Sequence, residues 1–450
     1  MTGDTIYALA SGSGRSGVAV IRISGSRAAA ALRVLTAQAL PRPRVVKLVR
    51  LIHPTTGETL DDALVLWFVA PASFTGEDVA ELHVHGGPAV VDGVLAALGT
   101  MEGLRLAEAG EFTRRAFENA KLDLTQVEGL ADLIEAETEA QRKQALRQSE
   151  GELGRLYDDW RDSLIRSLAH FEAELDFSDD ELPEDLHLAV IERVRELHAA
   201  LLAHLADGRR GERLREGVRL AIIGPPNAGK SSLMNALAQR DAAIVSDIAG
   251  TTRDVVEVHL NLSGFPLLVA DTAGLRESGD VIEQEGVRRA RLWAQGADIR
   301  LAVFDGGTLP NLDPSTRSLL QDDTLVAISK ADALSASVPD TVDGHRVWPI
   351  SVRTGQGLDD LLAQLSGLVV DQCRIGAEGP APTRARHREA LRRTCAALER
   401  FLARDDGRHM TAELEAEDLR LAARELGRIT GRVDVEDLLD VIFRDFCIGK

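Results

Sequence analysis

The sequence predicts a multidomain chain of mixed class: an N-terminal α/β domain, an all-α helical domain, and a second α/β domain inserted into the helices. Three observations carry this. At 450 residues the chain is too long for a single hydrophobic core, so two or three domains are expected. Its apolar residues come in short runs at the start, step at helical spacing in the middle, return to short runs, and step again at the end. A glycine-rich loop directly after an apolar run marks the inserted block as strand, loop and helix.

Residues 1–118 combine β-rich runs, Val18-Ala19-Val20-Ile21 and Ala63-Leu64-Val65-Leu66-Trp67-Phe68-Val69, with glycine turns and short helices. Residues 119–215 form the first part of the helical domain. Leu153, Leu156, Trp160, Leu164, Leu168, Phe171 and Leu175 fall on one helix face, and an acidic break from Asp176 to Asp185 ends that helix. Ile191, Val194, Leu197, Leu201 and Leu205 make the next stripe, and both stripes read as core packing. Arg209, Arg210, Arg213 and Arg215 crowd the stretch before the insert, which reads as an exposed hinge, with a local phosphate contact as the alternative.

The insert spans residues 216–372, and Gly376 to Pro382 is a second linker. Residues 373–450 resume the helical pattern through Leu391, Leu398, Leu402, Leu426, Ile429, Leu439, Ile442, Phe443 and Phe446. Asp434 suits the N-cap of the last helix, with Val433 and Leu438 as a hydrophobic staple. An inserted domain carried on such helices is suited to passing motion to distant sites.

Within the insert, Gly224-Pro225-Pro226-Asn227-Ala228-Gly229-Lys230-Ser231 fits G-x-x-x-x-G-K-S and follows the apolar run Val218, Leu220, Ile222, Ile223. Glycines let successive backbone N–H groups face a phosphate, and the helix N-terminus behind them adds a positive dipole. Lys230 is placed to bridge the β- and γ-phosphates, and the Ser231 hydroxyl to take a Mg²⁺ position.

The later loops select the nucleotide. Leu267-Leu268-Val269-Ala270 leads into Asp271-Thr272-Ala273-Gly274, a D-x-x-G, and Gly250-Thr251-Thr252-Arg253-Asp254 supplies hydroxyls between the two motifs. Leu325-Val326-Ala327-Ile328 leads into Ser329-Lys330-Ala331-Asp332, and Val347-Trp348-Pro349-Ile350 into Ser351-Val352-Arg353. In that order, each at the end of a strand, they match the five loops of a Ras-like GTPase, with Asp332 accepting from the guanine N–H groups.

Two positions depart from the usual pattern. Ser329 stands where asparagine is usual, which is expected to shorten or lose a contact to the phosphate loop, and Val352 adds bulk beside the base. Leu275, after D-x-x-G, cannot orient the attacking water, so the candidates are the carboxylates Glu277, Asp280, Glu283 and Glu285. Arg253 and Arg276 are as well explained by pairing with Asp254 and Glu277 as by an arginine-finger role. A monovalent cation is the other source of positive charge, with Asn227 a neutral oxygen donor for it.

Composition narrows the partners. Lys and Arg number 52 against 71 Asp and Glu, a net charge of −19, so nucleic acid must be gripped by a local basic patch or a basic partner. Cys373, Cys395 and Cys447 are widely spaced, which points to reduced thiols in the cytoplasm and no zinc knuckle. No apolar stretch of spanning length or signal peptide is visible, so membrane insertion and export are not expected. The chain ends in Phe446-Cys447-Ile448-Gly449-Lys450, a short arm carrying a thiol and an ammonium.

Taken together the sequence resembles the bacterial MnmE (TrmE) family of tRNA-modification GTPases over essentially its whole length. The resemblance rests on Gly14-Arg15-Ser16-Gly17-Val18-Ala19-Val20-Ile21-Arg22, Ser73-Phe74-Thr75-Gly76-Glu77-Asp78, His85-Gly86-Gly87-Pro88, Gly110-Glu111-Phe112-Thr113 and Lys121-Leu122-Asp123-Leu124. The five loops and the C-I-G-K terminus complete it, while Ala109 replaces the usual proline.

The resemblance implies a folate-binding-like N-terminal domain that also forms a homodimer, with Arg22, Glu81, Lys121 and Lys450 contacting a 5-formyl-tetrahydrofolate-type ligand. In the insert it implies GTP contacts from Asn227, Ala228, Gly229, Lys230, Ser231 and Ser232, from Ser246, Asp247, Ile248, Ala249, Gly250, Thr251 and Thr252, and from Asp271, Thr272, Ala273 and Gly274. Ser329, Lys330, Asp332, Ser351, Val352 and Arg353 complete that set. It further implies Mg²⁺ on Ser231 and Thr252, K⁺ on Asn227, Ser246, Ile248 and Thr251, Glu283 acting on water, and a functional tail thiol at Cys447.

The implied reaction, shared with the FAD-dependent protein MnmG, places an aminomethyl-type group, as in carboxymethylaminomethyl, at C5 of the wobble uridine of certain tRNAs. A ribosome-assembly or translational GTPase switch is the alternative, and the acidic balance and the tail argue against it.

Overall fold

The structure is a computed structural model, and it describes residues 3–176, 185–240, 257–271, 296–334, 337–374, 379–404, 412–433, 435–444, 446 and 448–449. The chain divides into two compact units, Met1–Ala131 with Gly427–Lys450, and Asp132–Leu426.

The first unit is built on a sheet of order β3-β4-β5-β2-β1-β6. Its strands are β1 (Thr5–Leu9), β2 (Ser16–Ser24), β3 (Lys47–Ile52), β4 (Thr59–Phe68), β5 (Val79–Gly86) and β6 (Leu104–Leu106). All neighbours pair antiparallel except β1 and β6. Period-two alternation decides the two faces. Ile21, Ile23, Ala80 and Leu82 pack with Leu32, Leu35 and Leu98 from the helices Ala28–Thr36 and Pro88–Gly99. Ile6 and Ala8 meet Ala107 and Phe112 in a separate cluster, so Arg22, between Ile21 and Ile23, belongs to the opposite face from the main core.

The chain's end belongs to this unit. Ile448 forms an antiparallel bridge with Ala109. Gly449 has φ +98°, and a side chain there would collide with the Leu9 carbonyl, so only glycine allows this approach. Cys447, Lys450 and Asp434 lie outside the described residues.

In the second unit the helix Glu152–Asp176 packs on Asp185–Leu205, which packs in turn on Ala385–Arg404. Phe171 and Phe401 meet edge-on at 5.7 Å, so helices from before and after the insert share one core, as their stripes predict. Arg388, itself 5% exposed, pairs there with Asp207 and Glu212.

The stretch read as an exposed hinge is instead the helix Arg210–Glu216 with its arginines engaged. Arg209 pairs with Glu212, Arg213 with Asp298 and Arg215 with Glu216, while Arg210 Nη2 donates to the Gly379 carbonyl. Burial of Leu214 and these partners, of which Asp298 and Gly379 are distant in sequence, override the local charge pattern.

Among the described residues the insert holds seven strands in the order β12-β13-β11-β10-β7-β9-β8. They are β7 (Val218–Ile223), β8 (Glu257–Leu262), β9 (Phe265–Asp271), β10 (Ile299–Asp305), β11 (Thr324–Ser329), β12 (Thr341–Val342) and β13 (His345–Pro349). The middle five are parallel, and β8 and β12 add antiparallel edges. Near-continuous apolar runs such as Leu220-Ala221-Ile222-Ile223 are buried on both faces, as a covered parallel sheet requires.

Candidate nucleotide site and the N-terminal pocket residues

The described loops lie where a doubly wound sheet binds ligands, at the carboxyl ends of its parallel strands. β7 ends at Ile223 and the helix Lys230–Arg240 begins after the phosphate loop. Gly224 has φ +153° and lies so close to the Val303 carbonyl that a side chain would collide with it. Asn227 adopts φ +62° and Gly229 φ +93°, which curls the loop. Asn227 is exposed, Ala228 is buried, and Ser231 and Ser232 are exposed at the helix start.

Lys230 is 7% exposed, and its Nζ donates to the carbonyls of Gly224 at 2.8 Å and Pro225 at 2.9 Å. The ammonium is thus folded against its own loop. Asp271 ends β9 and its backbone is in register with Ile222 of β7, one strand from the loop.

The guanine loop is bound to the phosphate loop at two points. Ser329 Oγ, buried, donates to the Ala228 carbonyl at 2.7 Å. The contact expected to be shortened or lost is therefore kept by a shorter side chain. Lys330, at φ +57°, donates from Nζ to Asn227 O at 3.2 Å and to Asp305 Oδ2 at 2.6 Å.

Asp305 was not among the residues singled out from sequence, although it ends an apolar run, Leu301 to Phe304, and pairs with Ser329 in register. Partial burial alone would raise its carboxyl pKa. The Lys330 ammonium and the Gly307 N–H outweigh that and hold it below the usual value.

Asp332 is presented by the last loop. Ser351 Oγ donates to Asp332 Oδ1 at 2.5 Å and Arg353 Nε to Oδ2 at 2.8 Å. The Ser351 hydrogen bond, then the Arg353 guanidinium, keep Asp332 ionised below the ordinary carboxylate range. Two acceptor oxygens held in one plane suit two adjacent N–H donors. Val352 is half-buried and packs against the core of the insert. Ser246, Asp247, Ile248, Ala249, Gly250, Thr251, Thr252, Thr272, Ala273, Gly274 and Glu283 lie outside the described residues.

In the N-terminal sheet, Arg22 and Glu81 are register partners on β2 and β5, joined at 3.0 Å. The Arg22 guanidinium lies 5.3 Å from the Phe74 ring centre and 5.7 Å from that of Phe112. His83 Nε2 is 3.5 Å from the other Glu81 oxygen. Lys121 Nζ donates to the Pro71 carbonyl at 3.0 Å, and its stem lies beside Gly76. Glu81 and Arg22 are each about one-fifth exposed, which leaves a paired cation and carboxylate reachable on an aromatic-lined surface.

Comparison with known proteins decides the family. Residues 5–121 match the family model described as GTP-binding protein TrmE N-terminus, and residues 124–447 the one described as MnmE helical domain. The chain belongs to the MnmE (TrmE) family. Relatives in this family include the tRNA modification GTPase MnmE of Paramagnetospirillum magneticum, 55% identical over 99% of this chain and 100% of its own. The protein of the same name from Parvibaculum lavamentivorans is 58% identical, again over 99% of this chain and 100% of its own. Among the described residues no helix is long and apolar enough to cross a membrane.

Proposed function

We propose that this chain is a K⁺-dependent GTPase of tRNA modification that acts as a homodimer with the FAD-dependent protein MnmG. Together they install an aminomethyl or carboxymethylaminomethyl group at C5 of wobble uridine 34, in the cytoplasm. The observation that carries the GTPase reading is the joined pair of loops, Ser329 on Ala228 and Lys330 on Asn227, with Asp332 fixed beside them. The names of full-length relatives supply the tRNA reading.

In this reading Asp332 selects guanine, and Lys230 exchanges the Gly224 and Pro225 carbonyls for phosphate oxygens. Asn227, Ala228, Gly229, Ser232, Ser246, Asp247, Ile248, Ala249, Gly250, Asp271, Thr272, Ala273, Gly274, Ser351, Val352 and Arg353 complete the nucleotide's surroundings. Ser231 and Thr252 would hold Mg²⁺, and Asn227 with Ser246, Ile248 and Thr251 would hold K⁺. The exposed Ser231 hydroxyl at the helix start and the exposed Asn227 side chain fit those donor sets. When bound, the two cations neutralise charge developing between the β- and γ-phosphates. Glu283 orients water, the task Leu275 cannot perform.

Arg22, Glu81, Lys121 and Lys450 would hold a 5-formyl-tetrahydrofolate-type ligand. Cations suit its glutamyl carboxylates, and Glu81 can accept from ring N–H groups. The seating of Gly449 beside Leu9 supports a place for Lys450 in that pocket, because the neighbouring residue Ala8 is in register with Arg22. When bound, the folate supplies a one-carbon unit. Cys447, three residues before Lys450 in the sequence, is the candidate tail thiol.

Mass analysis of wobble uridines in tRNA from a strain lacking this protein tests the proposal. Loss of the C5 substituent, restored by the wild-type chain but not by Lys230→Ala, is expected. Normal uridines in the deletion strain would reject it.

A further inference from the structure

A cavity of about 860 Å³ lies in the second unit, away from the nucleotide loops. Its walls come from the helices Glu139–Ser149, Glu152–Asp176 and Arg210–Glu216, from Phe265 at the start of β9, and from the stretch Gly379 to Thr383. That volume is within the range of small-molecule sites.

We propose that this cavity binds a small amphiphilic anion, carrying one phosphate or carboxylate group on a flat apolar body. Charge is the first reason. In a chain of net charge −19, three cations and a single carboxylate line this space. Lys143 and Arg147 are one turn apart on the same helix face, and Arg210 joins them from another helix. Lys143 is shared with Glu139 at 3.2 Å, and Arg210 donates to Gly379 O at 3.0 Å. Arg147 is exposed and makes no ion pair or side-chain hydrogen bond among the described residues.

The second reason is a buried hydroxyl. Thr383 lines the cavity, is 2% exposed, and its Oγ1 has no hydrogen-bond partner among the described residues. Native proteins rarely leave such a group unsatisfied, and a ligand oxygen would satisfy it. Apolar groups complete the space: Leu153, Leu214, Phe265 and Ala381 offer carbon surface to a flat body rather than to a hydrated inorganic ion. The occupant would be held by both the inserted fold and its flanking helices.

Fluorescence titration of the full-length chain with 1-naphthyl phosphate and with 1-naphthoate tests this, with GDP and Mg²⁺ saturating to block the nucleotide loops. Saturable binding of at least one probe is expected, and the tighter of the two identifies the anion class. Arg147→Glu, a change at an exposed side chain, should weaken it at least about tenfold. Thr383→Val should weaken it about fivefold, and Ala381→Trp should fill the space and abolish it. Absence of saturation, equal affinity for neutral 1-naphthylmethanol, or unchanged binding in Arg147→Glu and Thr383→Val would each overturn the proposal. The assay does not involve GTP turnover or tRNA, so it goes beyond the proposed function and fails independently of it.

Discussion

Ser329 donates its hydroxyl to the Ala228 carbonyl at 2.7 Å, so the loop that carries Asp332 is fastened to the glycine-rich loop. A serine spans the gap because the loops approach closely: a side chain at Gly229 would have its first carbon 3.7 Å from Ser329 Oγ. Removing the hydroxyl leaves a carbonyl without this partner, a loss of about 1 kcal/mol. Ser329→Ala should therefore weaken GTP binding about fivefold, while Ser329→Thr retains most of it. Titration with a fluorescent GTP analogue checks this, and equal affinity in the alanine variant would show that the tie is dispensable.

Asp332 should control the base. Its carboxylate, aligned by Ser351 and Arg353, presents two acceptors, whereas an amide presents one acceptor and one donor. Xanthine carries a carbonyl where guanine carries its amino group. Asp332→Asn should lose at least about tenfold in GTP affinity and gain affinity for xanthosine triphosphate. Competition binding with the two nucleotides measures the exchange, and an unchanged GTP preference would remove Asp332 from base recognition.

Arg388 should be structural. It is buried between Asp207 and Glu212, which are 8% and 3% exposed, and removing it takes the guanidinium from both carboxylates, leaving Glu212 its pair with Arg209. Arg388→Leu should destabilise the helical core by about 3–5 kcal/mol. Chemical denaturation followed by circular dichroism reads this, with Asp207→Asn and Glu212→Gln added to the variant expected to recover part of the loss. A change near zero for Arg388→Leu would mean the network is solvated.

Much of this was legible in the sequence because the phosphate and guanine loops follow apolar runs that become β7, β9, β11 and β13. Among the described residues, Asn227 to Ser232, Asp271, Ser329 to Asp332 and Ser351 to Arg353 lie at or just beyond the ends of those strands. What local pattern could not show were partners brought together only by folding. Arg213 meets Asp298, and Lys330 meets Asp305, each across a long stretch of chain. Four crowded arginines read as a hinge partly for the same reason: Asp298 and the Gly379 carbonyl, distant in sequence, engage Arg213 and Arg210, while the nearby Glu212 and Glu216 engage Arg209 and Arg215. The serine at position 329 read as a weakened tie because side-chain length is visible in sequence and loop separation is not. The seating of Gly449 against Leu9 likewise depends on a backbone approach that composition does not record.

Potassium-assisted hydrolysis of GTP is tested most directly by turnover in KCl against NaCl at equal ionic strength, with wild type beside Asn227→Ala. The account predicts a steep fall for wild type in sodium and little difference between the two salts for the variant. Equal wild-type rates in both salts would contradict it.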